Sequence, residues 1–478
     1  MGARERLIGT IKGIYESYGY VPLGTPAIEY METLRGSEAG SEAQQQVFTV
    51  QNPEQEELGL RFDLTVPLAR VVAQYRDLPR PFRRYQVGPV WRADKPDPGR
   101  FREFTQFDID AVGVPSEVAD TETIAAICDT LAALDVGPFR VRFSSRRVLN
   151  LVLPYAGIDV ERAPDVFRVL DKLDKIGEKK VRLELTTGYQ DESGDRIPGV
   201  GLAPGQVDKI EEFLRIRSGG RSAAFGDGSG DGSGDGSIRS GGRDAVIEQL
   251  RTLFSSLPEA AGEIDTLARI SHQLDTLGYD EEQATLDVSV ARGLAYYTGP
   301  VYEAILLDAP QFGAVCAGGR YDELVMRFLG ERVPATGASI GVDRLLAALA
   351  HLGKVRARHS TADVLVTVFD SGMMDDYLLL AQELRRAGIR TELYLGSGRN
   401  PGKQMRYADK TEIPLVLLYG PDEKARGVVA VKDLAAGKAR AADIDGRDQW
   451  REERPGQRDV PRDELVSTLT QILVAIEG

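Results

Sequence analysis

Arg92, Arg100 and Arg102 stand in the stretch VWRADKPDPGRFREF, on two short apolar runs that flank a loop marked by Pro98 and Gly99. Guanidinium forks so placed can clamp a polyphosphate, because each offers paired N–H donors in a fixed plane to oxyanions. Phe104, four residues beyond Arg100, lies on the same strand face and can stack on a purine. DLTVP (from Asp63) and TQFDID (with Gln106, Asp108 and Asp110) add carboxylates and an amide that can hold an ammonium group. Asp108 and Asp110, two apart in strand text, share a face. ARGLAYYTGPVYE joins Arg292 to Tyr296 and Tyr297, whose hydroxyls can bond a polar ring while their faces pack on it. Arg344 stands where GASIGVDRL turns from glycine-rich text into a helix. Each group also has a plainer reading: solvated hairpin arginines, exposed edge charges, a core aromatic pair.

The elements that would position these residues follow from periodicity. Leu7, Ile8, Ile11, Ile14, Tyr15 and Tyr18 fall at helical spacing, Gly19 ends that helix, and an extended YVPLGTPAIE follows. RRYQVGPVWRAD and FTQFDIDAVG predict a hairpin. From about residue 119 the text is helical, with Ile124, Ile127, Leu131 and Leu134 on one stripe, and a separate helical insertion is expected over about 150–285. Within it, 218–243 is a Gly/Ser/Asp tract too polar to bury a core, expected to be a flexible surface loop without function. LDVSVARGLAYYTGPVYEAIL and QFGAVCAGGRYDELV predict paired strands, and the large domain is expected to end near 356. Beyond Asp363, strands and helices alternate, which predicts a small doubly wound α/β domain over 361–478.

Composition narrows the class. A chain of 478 residues exceeds one ordinary core. No stretch approaches the roughly 20 apolar residues of a membrane span, and the amphipathic MGARERLIGTIKG lacks a secretory pattern, so no membrane and a cytoplasmic location are expected. Two distant cysteines, Cys128 and Cys316, exclude a disulfide framework and are expected to be buried thiols. His272, His351 and His359 form no ligand cluster, so no zinc is expected, only Mg²⁺ brought by a nucleotide. A net charge of −14 argues against a non-specific nucleic-acid coat, although the basic stretch from Arg76 to Arg102 could meet phosphates locally. Neither a Rossmann fingerprint nor a Walker loop occurs, so ATP would need another fold and no organic cofactor is expected.

Taken in order, these pieces resemble the signature motifs of class II aminoacyl-tRNA synthetases, and across nearly the whole chain the wording is similar to the histidyl family. GYVPLGTPAIE resembles motif 1, with Pro26 at its proline; the resemblance implies a homodimer. FRRYQVGPVWRADKPDPGRFREFTQFDID resembles motif 2, which implies Arg92 on the α-phosphate and the histidine carboxylate, Arg100 on the distal phosphates and Phe104 on adenine, with Asp94 in place of the commoner glutamate. GASIGVDRL resembles motif 3, which implies Arg344 stacked on ATP. ARGLAYYTGPVYE and GGRYDEL resemble stretches specific to the histidyl family. By the resemblance Arg292 stabilises the α-phosphate in the transition state, Tyr296 and Tyr297 contact histidine, and Asp63, Thr65, Gln106 and Asp110 hold its nitrogens.

The resemblance implies an α+β catalytic domain over 1–356, built on a mostly antiparallel sheet with the helical insertion, followed by a small α/β anticodon-binding domain. It implies ATP, L-histidine and tRNA(His) as partners, and Lys403, Gln404 and Lys410 toward the tRNA. This sequence departs from the family in lacking a KGxRD-type strand before the first helix and in carrying Ala295 where an acidic residue is common. Two other readings remain at this stage. One is a non-catalytic paralogue serving as regulatory subunit of an ATP phosphoribosyltransferase, which the presence of Arg92, Arg292, Arg344 and the last domain disfavours. The other is a nucleic-acid-binding module without chemistry, which leaves RGLAYYTG unexplained.

Overall fold

The computed structural model describes residues 2–35, 47–94, 99, 101–191, 194–216, 242–290, 297–355, 360–436 and 456–477. Arg100, Arg292, Ala295, Tyr296 and all but the last two residues of the 218–243 tract lie outside them. The chain divides near residue 355 into two compact units.

The first unit is organised by an eight-stranded sheet of Val21–Pro22 (β1), Phe82–Trp91 (β2), Glu103–Val112 (β3), Phe139–Ser145 (β4), Ala284–Leu286 (β5), Pro300–Leu306 (β6), Ala314–Arg320 (β7) and Ala335–Gly341 (β8). Its order is β1-β2-β3-β8-β7-β6-β4-β5, with parallel pairing only at the two edges, β1 with β2 and β4 with β5. The expected hairpin of β2 and β3 forms in the register Arg84↔Asp110, Gln86↔Asp108, Gly88↔Gln106. On its other side β3 meets β8 as Gly337↔Asp110, Ser339↔Asp108, Gly341↔Gln106.

Alternation along β3 separates two environments. Phe107 and Ile109 enter the main core, where Tyr15 of the helix Gly2–Ser17 meets Phe107 edge-on at 5.2 Å. That helix ends as expected, with Gly19 in the left-handed region at φ +78° and its N–H on Glu16 O at 3.0 Å. Gln106, Asp108 and Asp110 point to the opposite face, and yet Asp108 and Asp110 remain 2% exposed.

Between β4 and β5 the described residues form a series of helices from Arg146–Asn150 to Ala260–Leu277, together with the short hairpin Gly188–Gln190/Arg196–Pro198. The polar tract stops earlier than its composition suggests. Arg243 opens the helix Arg243–Leu253 and is buried, because its guanidinium is occupied by Ala284 O, Tyr279 O and Asp275.

The second unit carries a five-stranded sheet in the order Thr391–Leu393, Val364–Val366, Leu415–Leu418, Val428–Asp433, Gln457–Pro461. The first three strands are parallel, as the alternating text predicts, whereas the last two return antiparallel, so the sheet is mixed. Lys403 and Lys410 of the helix Pro401–Thr411 are exposed. Gln404 is not: it is fully buried, donating to Val368 O at 2.6 Å and Gly398 O at 2.9 Å and accepting from Val368 N–H at 2.8 Å. The expectation that Gln404 faces tRNA is therefore corrected; its amide substitutes for a missing backbone partner. Gln404→Ala leaves two buried backbone groups unpaired and should lower the stability of this unit by roughly 2–4 kcal/mol, measured by denaturant titration.

Candidate active site

The polar face of β3 is the floor of a cavity of about 290 Å³. Of the residues singled out from sequence, Asp63, Thr65, Arg92, Asp94, Phe104, Gln106, Asp110, Tyr297 and Arg344 all line it. Arg102 does not; it is exposed, and its Nε donates to Asp94 O at 3.5 Å. The sheet and two segments bring these residues together. Asp63 and Thr65 come from the start of the helix Thr65–Gln74, Arg92 and Phe104 from the end of the hairpin where its two strands are connected, and Arg344 from the first turn of Val342–His351.

At the deep end of the floor stands Arg84, with no exposed surface. Sequence reasoning counted it in a basic stretch able to meet phosphate, but alternation turns it inward against Asp110. Its Nη2 donates to Leu64 O at 2.9 Å and lies 2.8 Å from Asp110 Oδ2, an ion contact without hydrogen-bond angles. Tyr321 donates to Asp110 Oδ1, and Val66 N–H donates to Asp63 Oδ1 at 3.0 Å. Gln106 Nε2 donates to Ser339 Oγ at 2.9 Å, and Ser339 stands opposite Asp108 in the β3–β8 pairing.

Burial pushes Asp108 up to about 7 and Asp110 up to about 6, while Arg84 pulls both down and neighbouring carboxylates push them back. Burial raises Asp63 as well, against the Val66 N–H and the charge of Arg92. Among the described residues, Asp63 Oδ2, Gln106 Oε1, Asp108 Oδ1 and Asp110 Oδ2 are buried acceptors with no hydrogen-bond donor, and Arg84 Nε and Nη1 are donors with no acceptor. Buried polar atoms are rarely left so. The cluster is complementary to a small ligand rich in N–H groups.

Toward the connected end of the hairpin the cavity changes character. Arg92 lies over the Phe104 ring at 5.2 Å and is tethered by Nε to Phe62 O at 3.0 Å. Arg344 is braced by Nη1 on Ala314 O at 2.8 Å. The neighbouring Asp343 accepts from Thr105 N–H at 2.6 Å and from Arg4, fixing the helix start to β3. Guanidinium groups and an aromatic face at one end, acceptors at the other, fit an anionic nucleotide beside an amino acid.

Two glycines make the floor possible. A Cβ on Gly337 would fall 2.2 Å from Asp110 Oδ1, and one on Gly318 would fall 2.2 Å from Gly337 O. Both lie in stretches quoted from sequence. Tyr321, Ser339 and Glu303 also line the cavity and had no assigned role; Tyr321 stands in the quoted GGRYDEL, so the stretch was legible and the residue was not.

An antiparallel sheet carrying its arginines on a central hairpin and on the helix after the last strand is the catalytic fold of the class II aminoacyl-tRNA synthetases. The histidyl-tRNA synthetase family matches residues 1–188 and 237–345, and the anticodon binding domain family matches 363–472. The histidine–tRNA ligase of Paracoccus denitrificans is 43% identical over 489 residues, spanning 98% of this chain and 94% of that relative. That of Cereibacter sphaeroides is 42% identical with the same coverage. The crystal structure of histidyl-tRNA synthetase from Nostoc sp. PCC 7120 superimposes with a TM-score of 0.78 at 31% identity, covering 98% of this chain and 95% of that one. This chain belongs to the histidyl-tRNA synthetase family.

Because the space above Asp110 depends on a missing side chain, Gly337→Ala should displace that carboxylate and weaken histidine-dependent ATP–pyrophosphate exchange about 100-fold. Steady-state exchange assays on the folded variant measure this.

Proposed function

We infer that this chain activates L-histidine with ATP, giving histidyl-adenylate and diphosphate, and then transfers histidine to the 3′ end of tRNA(His). The observation that carries this reading is the cavity itself, with unmatched acceptors of Asp63, Gln106, Asp108 and Asp110 at one end and Arg92, Phe104 and Arg344 at the other. A neutral imidazole brings one N–H donor and one acceptor nitrogen, and an α-ammonium brings three donors. A site built from such partners rejects side chains that leave them unpaired.

In the first step a histidine carboxylate oxygen attacks the α-phosphorus, and the bond to diphosphate breaks. Charge grows on the phosphoryl oxygens, and fixed guanidinium groups stabilise it without reorganising. Arg92 takes the α-phosphate and the carboxylate, Arg344 and Phe104 the nucleotide, with Asp94 near adenine and Arg100 on the distal phosphates. Asp63, Thr65, Gln106, Asp110, Tyr296 and Tyr297 hold histidine. Arg292, within RGLAYYTG, is assigned the transition-state charge. In the second step the terminal ribose hydroxyl of the tRNA attacks the carbonyl and AMP departs.

Mg²⁺ enters with ATP. Asp94, which lines the cavity, is the protein carboxylate we assign to the ion. The motif 1 segment supports a homodimer, since its Val21 and Ile28 are 48% and 47% exposed on this chain. We assign the second unit to the anticodon, with Lys403 and Lys410 toward RNA, and the enzyme to the cytoplasm.

A regulatory role has less support. A Bacillus halodurans structure described as an ATP phosphoribosyltransferase regulatory subunit/histidyl-tRNA synthetase shares the fold, at a TM-score of 0.66 and 22% identity, covering 85% of this chain and 92% of that one. The ligases match at 42–43% over nearly their whole length.

ATP–pyrophosphate exchange with each of the twenty amino acids tests the reading: histidine alone should support it, and a folded chain silent with histidine would overturn it. Arg344→Ala and Arg292→Ala should each cut the histidine-dependent rate by about 100- to 1,000-fold while leaving the thermal transition in place.

A further inference from the structure

Phe104 and Arg344 are both assigned to the nucleotide, and they stand on different elements: Phe104 on β3, Arg344 on the helix that follows β8. Asp343 joins those two elements, and the pairing of the sheet shows why a side chain is needed there. Arg92 N–H donates to Arg102 O at 2.8 Å, so by alternation along the β2–β3 ladder the backbone groups of Phe104 and Gln106 face β2 and those of Thr105 face β8. β8, however, ends at Gly341, paired with Gln106. Val342, which the register would set opposite Thr105, already begins the helix. The Thr105 N–H therefore has no strand carbonyl opposite it, and a backbone donor beside a cavity needs an acceptor. Asp343 Oδ2 takes it at 2.6 Å, a carboxylate from the first turn of the helix standing in for the missing rung.

The other oxygen is occupied as well. Arg4 of the first helix donates to Asp343 Oδ1, and the Asp343 side chain is only 10% exposed. A carboxylate held at both oxygens by groups on two other elements is fixed in orientation, and Arg344 is the next residue along the backbone that carries it. Arg344 is itself braced by Ala314 O on β7 at 2.8 Å. Thr105 adjoins Phe104. The Asp343–Thr105 bond thus links the neighbour of one nucleotide group to the neighbour of the other.

The histidine end is anchored by other contacts. Gln106 is paired with Gly88 on one side and Gly341 on the other and bonds Ser339 Oγ, Asp110 is held by Tyr321 and Arg84, and Asp63 accepts from Val66 N–H. These contacts do not involve the Asp343 carboxylate.

We propose that Asp343 is a positioning residue for ATP: by completing the β3 ladder from the helix, with Arg4 orienting its carboxylate, it sets Arg344 against Phe104. The proposal rests on the nucleotide reading above. A residue acting in this way affects ATP and histidine unequally, whereas one that only stabilises the fold affects both or neither.

ATP–pyrophosphate exchange on the full chain, with ATP and histidine varied in turn, separates the two. Asp343→Ala should raise the KM for ATP about tenfold and move that for histidine by less than about twofold, in a chain whose thermal transition shows it folded. Asp343→Asn keeps an oxygen for the Thr105 N–H and should recover most of that loss. Arg4→Ala keeps the carboxylate, loses its partner and should raise the KM for ATP about two- to fivefold. A rise shared equally by ATP and histidine, no rise in Asp343→Ala, or an asparagine variant as impaired as the alanine one would overturn the proposal. Should Asp343→Ala not fold, Arg4→Ala decides, and an unchanged KM for ATP in that variant would overturn the proposal. A wild-type chain without histidine-dependent exchange overturns the functional reading itself, whereas wild-type exchange with any of those variant outcomes overturns this proposal alone.

Discussion

A guanidinium with no exposed surface, Arg84, lies among three buried carboxylates, and the rest of the first unit is arranged to make that placement tolerable. Such a cluster is a poor way to stabilise a fold, because apolar residues of similar volume commonly do as well. Breaking one partner out of a buried pair, by contrast, costs roughly 3–5 kcal/mol. Charges retained under those terms need another reason, and the acceptors they leave open supply one: a ligand whose N–H groups complete the network.

The supports are themselves polar. Behind the pocket, Arg320 holds Asp120 through Nε and Nη2 at 2.9 and 2.6 Å, Asp120 accepts from Thr336 at 2.6 Å, and Thr336 meets the hydroxyl of Tyr302, a lining residue, also at 2.6 Å. Arg320 further caps Val114 O and Ser116 O at 2.9 Å. A chain of satisfied partners of this kind fixes a side chain more sharply than apolar contact does. The pocket floor therefore rests on Gly318 and Gly337, which let the strands close in, and on a hydrogen-bonded layer that keeps Tyr302 from moving.

Much of this was legible in the sequence, and the limits have physical causes. The hairpin, the helix after Gly341 and the strand pair around 300–320 follow from local patterning, so the residues they carry fall where expected. Asp108 and Asp110 share a face because strand alternation allows nothing else. Arg84 reads as solvated in a run of charged residues because its sequence neighbours do not show that its face of the strand is turned against Asp110, its cross-strand partner. Gln404 was misjudged because a polar residue on an exposed-looking helix gave no sign of the backbone groups of Val368 beneath it. The polar tract reads one residue too long in sequence, because Arg243 looks solvated until its carbonyl partners, 36 and 41 residues away, fold against it. Each miss concerns a long-range partner.

The most direct test of this account is a crystal structure with L-histidine and a non-hydrolysable ATP analogue bound. The account predicts histidine N–H groups within about 3 Å of Asp63 Oδ2, Gln106 Oε1, Asp108 Oδ1 and Asp110 Oδ2, with the phosphates against Arg92 and Arg344. A histidine seated elsewhere, or one that leaves those four oxygens without donors, would contradict it.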